Sequence, residues 1–87
     1  MSDPSPAPVG TAFDVEWDAG GLGCGELLLK LRRRLRDIPG QVIKLRASDL
    51  GAMEDIPSYC RITGHRLLHA DAAQGIFWIQ AREGAPV

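Results

Sequence analysis

The stretch Gly20-Gly21-Leu22-Gly23-Cys24-Gly25-Glu26-Leu27-Leu28-Leu29-Lys30-Leu31-Arg32-Arg33-Arg34-Leu35-Arg36-Asp37 decides how the chain is read. Its opening is rich in glycine, which favours a turn over a helix or a strand. From Leu27 the pattern changes. Leu27, Leu28, Leu31 and Leu35 fall three and four apart, so they share one face of a helix. The arginines cover the other side. This spacing predicts a helix over residues 25–37, stopped by Pro39-Gly40. Upstream, Phe13, Val15 and Trp17 alternate with Asp14, Glu16 and Asp18. Period two is the mark of a half-buried strand. A strand therefore hands over to a helix at Cys24.

Downstream, residues 41–47 read as a second strand, with Ile43, Leu45 and Ala47 on one face. Ser48-Asp49-Leu50-Gly51 is a turn. A shorter helix is expected over residues 56–63, with Asp55 as its cap and Pro57 at its first position. Gly64 suits the left-handed residue that ends it. Met53, Ile56, Tyr59, Cys60 and Thr63 form its buried side. Strands at 66–70 and 76–82 follow, joined by Asp71-Ala72-Ala73-Gln74-Gly75. The order is βαβαββ. The fold class expected is α+β: a two-layer α/β sandwich, a four-stranded mixed sheet with two helices on one face. One domain spans residues 12–83. Residues 1–11, with three prolines and little to bury, read as a flexible tail, and residues 84–87 as a C-terminal tail.

The 87 residues hold 10 basic and 11 acidic side chains, a net charge of −1. A general nucleic-acid binder is usually basic, so direct nucleic-acid binding is not expected. Two cysteines, Cys24 and Cys60, are too few for a disulfide framework. The N-terminal stretch lacks the basic and apolar regions of a signal peptide, and no segment is long enough to cross a membrane. A cytoplasmic protein with reduced thiols is expected. The two histidines, His65 and His69, have no ligand spacing with the cysteines, which argues against a metal.

Cys24 carries the chemistry. The first N–H groups of a helix lack internal partners, and the dipole there favours negative charge. A thiol so placed is drawn towards thiolate, the nucleophilic form. Arg32 and Arg36 add positive potential, while Glu26 opposes it. Gly23 and Gly25 leave the backbone bare and open to another molecule. The competing reading is a small buried apolar residue that happens to precede a helix.

Gly21-Leu22-Gly23-Cys24-Gly25-Glu26-Leu27 resembles the G-L-x-C-P-x-P signature of TusA/SirA sulfur carriers. Residues 48–60 resemble that family's D-P-x-A-x-x-D-I-P-x-[aromatic]-C, and Thr63-Gly64-His65-Arg66-Leu67-Leu68 its T-G-H-x-L-L. The resemblance runs from Phe13 to Arg82 and implies the βαβαββ fold. It also implies that Cys24 carries sulfur as a persulfide, from a donor of the cysteine desulfurase or rhodanese type to an acceptor protein. No metal or organic cofactor is implied. Both prolines of C-P-x-P are replaced, by Gly25 and Leu27. Gly25 loosens the turn and restores an N–H donor beside the sulfur.

Further candidates assist or dock. Asp49 matches the family's acidic position and reads either as a partner contact or as turn chemistry. Arg32, Arg33 and Arg36 form a strip that an acidic partner would fit, or a solvated face. Cys60 reads as a core residue, with a resolving role for Cys24 as the alternative. A redox pair of the two would need their α-carbons about 4.4–6.8 Å apart. His65 reads as a structural group at a helix end. A monomer is expected. The main rival to a carrier is a non-catalytic interaction or regulatory module that keeps the fold.

Overall fold

The computed structural model describes residues 12–83; the two tails read from the sequence, 1–11 and 84–87, lie outside the described residues. Six elements follow one another: β1 (Val15–Gly20), α1 (Cys24–Arg36), β2 (Val42–Ala47), α2 (Ala52–Thr63), β3 (Arg66–Asp71) and β4 (Ile76–Gln80). The order is the βαβαββ read from the sequence. The sheet order is β1-β2-β4-β3. β1 and β2 run parallel, as a crossover through α1 requires, and the remaining pairs are antiparallel.

One face of the sheet is dry. Leu27, Leu31 and Leu35 of α1 and Ala52, Ile56 and Cys60 of α2 pack on Ile43, Leu45, Phe77 and Ile79. Each helix uses a single row at intervals of four residues. The opposite face carries a cross-strand row, Glu16–Lys44–Trp78–His69. Lys44 pairs with Glu16 at 3.9 Å, and Trp78 meets the His69 ring at 5.2 Å. The mixed sheet with helices on one face is thus the expected architecture. β4, inserted between β2 and β3, has both neighbours and is the most apolar strand. Charged Glu16 and Asp18 mark the β1 edge, and a bulge between Leu67 and His69 breaks the β3 edge, two devices that discourage stray pairing.

Several boundaries differ from the local pattern, each with its own hydrogen bonds. β1 begins at Val15 instead of Phe13. Asp14 brackets Val42 instead: its N–H donates to the Val42 carbonyl (2.8 Å) and its carboxylate accepts the Val42 N–H (2.9 Å). α1 begins at Cys24, one residue early, because the Leu27 N–H reaches the Gly23 carbonyl at 2.8 Å. α2 begins at Ala52, a turn before the expected Ile56. Asp55 is therefore in the first turn and is not the cap, and Pro57 lies inside the helix. The Gly51 carbonyl accepts the N–H groups of Glu54 and Asp55 (3.1 and 2.9 Å), so the helix is already formed before Pro57. Burying Ala52 in line with Ile56 and Cys60 favours that longer helix. β4 ends at Gln80, before the expected Arg82, whose N–H goes to the ring of His65. Gly64 closes α2 with φ of 87°, as read from the sequence.

Candidate functional site

Because β1 and β2 are parallel, their C-terminal ends lie together, and both helices start from that end. The Cys24 turn and the turn at 48–51 are neighbours there. Gly20, at φ of +58°, takes a left-handed conformation that glycine accepts freely, and its N–H donates to the Asp18 carboxylate at 2.8 Å. Its carbonyl accepts two hydrogen bonds from Ser48, from the backbone N–H (3.0 Å) and from the hydroxyl (2.7 Å). Leu22 packs against the core and donates its N–H to the Ala19 carbonyl. Gly23 then caps α1 in an extended conformation, with no side-chain cap.

Cys24 is the first residue of α1; its side chain lies outside the described residues. On either side the backbone is bare. A Cβ added at Gly23 or Gly25 would meet nothing within 4 Å, and both glycines are exposed. Leu27, by contrast, is 0% exposed and joins the core. The two positions that match the signature prolines therefore have opposite environments. Glu26 is exposed and reaches along the helix to Lys30, with 4.0 Å between charged atoms.

The arginine strip lies further along α1. Arg32 is eight residues beyond Cys24, an axial rise of about 12 Å. Arg32 faces α2: burial pushes the Tyr59 phenol above its ordinary value, and the Arg32 charge offsets part of that. The Tyr59 hydroxyl is buried and without a hydrogen-bond partner among the described residues. Arg33 lines a cleft with Lys30, Arg34 and Asp37, while Arg34 also stacks over Trp17 at 4.4 Å. Arg33, Arg34 and Arg36 occupy the last turn, where cations suit the helix dipole.

Asp49 is half-buried, and its carbonyl accepts the Ala52 N–H at 3.1 Å, which starts α2. It lines an open cleft of about 250 Å³ with Ala47, Leu50, Met53, Ala73 and Gly75. Leu50 is 90% exposed. Neither Ser48 nor Leu50 stands out in the sequence, where both read simply as turn residues.

Cys60 is 2% exposed, and burial pushes its thiol up to about 11. It is a protonated core thiol at neutral pH, as the core reading expects. His65 sits at the far end of α2. Its Nδ1 accepts the Arg82 N–H at 2.9 Å, and its ring stacks on Tyr59. Burial, together with the Arg82 charge, lowers its pKa. His65 is thus structural, though it holds the backbone just beyond β4 and not the helix-end carbonyls. Among the described residues, no three His, Cys, Asp or Glu side chains gather as metal ligands would, and no helix is long and apolar enough to cross a membrane.

Comparison with known proteins supplies the family. Residues 15–81 match the family described as sulfurtransferase TusA. The chain belongs to the TusA family. It is 39% identical over 72 residues to a sulfur carrier protein TusA of Pseudomonas syringae, covering 79% of this chain and 86% of that one. A Pseudomonas aeruginosa protein of the same name is 35% identical over 74 residues, covering 82% and 94%. The TusA of Pseudomonas fluorescens is 35% identical over 83 residues, covering 92% and 95%. The match with the TusA family spans every strand and both helices.

Proposed function

We propose that this protein is a sulfur carrier that holds transferable sulfur as a persulfide on Cys24. The observation that carries the reading is the retained signature cysteine, placed as the first residue of α1 between two exposed glycines with open space above them. Free first-turn N–H groups and the helix dipole favour the thiolate that the chemistry needs. Family membership, with relatives named sulfur carrier proteins, supports the same role.

The transfer balances without a cofactor. The Cys24 thiolate attacks the outer sulfur of a donor persulfide. A new S–S bond forms as the donor's S–S bond breaks, and the electron pair leaves with the donor thiolate. The proton stays on the outer sulfur, so Cys24 now bears the S–SH group. An acceptor thiolate repeats the step. Nothing in the exchange needs a general base, only an accessible thiolate and two protein partners. Donors of the cysteine desulfurase or rhodanese type fit this chemistry. Gly25 admits the partner's reacting group, Glu26 and Asp49 border the approach, and Arg32, Arg33 and Arg36 offer an acidic partner a docking strip. The relay belongs in the cytoplasm, where thiols stay reduced.

The test is intact-protein mass spectrometry after incubating reduced protein with a cysteine desulfurase and cysteine. Wild type and Cys60→Ser are expected to gain one sulfur atom, and Cys24→Ser none. If neither this donor, a rhodanese nor a low-molecular-weight persulfide loads Cys24, the carrier reading fails and a non-catalytic interaction module takes its place.

A further inference from the structure

We propose that Ser48 is a positioning residue for the Cys24 turn, acting through the Gly20 carbonyl. The inference rests on the carrier reading for its effect on sulfur transfer, while its geometry stands apart from that reading.

The turn has little stiffness of its own. Gly20, Gly21, Gly23 and Gly25 lie within six residues, and each glycine has more conformational freedom to lose than any other residue. The two prolines that stiffen the signature are replaced here by Gly25 and Leu27. Order must therefore come from contacts. Leu27 supplies the downstream anchor, through its burial and its N–H bond to Gly23. Ser48 supplies the upstream one. It saturates the Gly20 carbonyl, whose two lone pairs take two donors. Any residue but proline could give the backbone N–H. The hydroxyl bond, at 2.7 Å, depends on the side chain.

The anchor itself is firm. Ser48 directly follows the last residue of β2, a central strand of the sheet. Its neighbour Ala47 donates its N–H to the Gly75 carbonyl at 2.9 Å, and Gly75 lies so close to the Ala47 carbonyl that a side chain there would collide with it. On the other side the Asp49 carbonyl starts α2. Ser48 thus ties the glycine-rich turn to the end of a central strand.

Two measurements test this: loading of Cys24 by the desulfurase and amide hydrogen exchange. Ser48→Ala is expected to slow loading about three- to tenfold, the range set by one hydrogen bond. Amide exchange at Leu22 and Ser48, whose N–H groups bond the Ala19 and Gly20 carbonyls, should quicken by a similar factor, while the amides of β2 and β4 hold their protection. Ser48→Thr, which keeps the hydroxyl, should restore both readings. Adding Gly25→Ala to Ser48→Ala should recover part of the lost amide protection, because alanine narrows the freedom of the same stretch of backbone. Loading and local exchange at wild-type values in Ser48→Ala would overturn the proposal. So would exchange that rises evenly across the sheet, since Ser48 would then serve only global stability. If wild type itself takes no sulfur, the carrier reading fails, and local exchange still decides the role of Ser48.

Discussion

Both helices start at the same end of the sheet, yet they start in different ways. Each is capped by a glycine with no side-chain cap, but α1 follows a glycine-rich turn with Gly23 extended, whereas Gly51 before α2 is already helical. α2 is entered through Ser48–Gly51, where the carbonyls of Asp49 and Gly51 already accept three N–H groups from Ala52, Glu54 and Asp55. α2 also keeps a proline, Pro57, but inside the helix, where the missing N–H cannot bond the carbonyl four residues back. Buried Ile56 and Cys60 hold the helix together across that gap. At α1 the signature prolines are gone, and the two replacements have separate tasks. Gly25 leaves space, while Leu27 fills the core and makes the first helical bond. The difference teaches that a helix start can be fixed by burial where proline is absent, and that the freed positions then follow their local surroundings.

The sharpest way to break this comparison is Leu27→Pro. It brings the chain closer to the family signature, yet it removes a fully buried side chain and the N–H bond to Gly23. A loss of about 4 kcal/mol or more is expected in urea unfolding, enough to unfold much of a domain this small. A variant as stable as wild type would show that the first turn of α1 does not depend on Leu27.

The middle of α2 makes a smaller, pH-dependent prediction. The Cys60 thiol rises from its ordinary 9.0 to about 11 because burial disfavours the thiolate. Its contribution is therefore complete below pH 9 and is lost as pH climbs through 11. Stability should fall by about 2–3 kcal/mol over that window. In Cys60→Ala the fall should be shallower by that amount. Equal slopes for the two proteins would mean that Cys60 is not a buried titrating group.

The smallest effect belongs to Gly25→Ala. The added methyl meets nothing within 4 Å, and the residue is helical. Alanine should stabilise the helix by about 0.5–1 kcal/mol, read as a higher urea midpoint. Destabilisation instead would mean that the first turn of α1 needs glycine for a reason its open surroundings do not reveal.

Much of this was legible along the chain. Alternation marked β1 and β2, the leucine row marked α1, and glycine marked the turns at 40, 64 and 75, each now at positive φ. Cys24 stood out for its glycine neighbours and its place before a helix. Cys60 read as core because it continues the apolar row of α2. The start of α2 was missed because proline at a first position is the commoner pattern, and the pull of buried Ala52 is invisible without the sheet beneath it.

By itself the sequence determined the order of elements, their buried faces and the place of Cys24 at the handover from β1 to α1. Those are local properties, encoded in spacings of two, three and four residues. Tertiary contacts alone set the entry of β4 between β2 and β3, the start of α2 at Ala52, and the hold of Ser48 on the carbonyl of Gly20. The last pair is 28 residues apart. Hydrogen bonds at that separation leave no periodic trace, because neither partner's neighbours need to change for them to form.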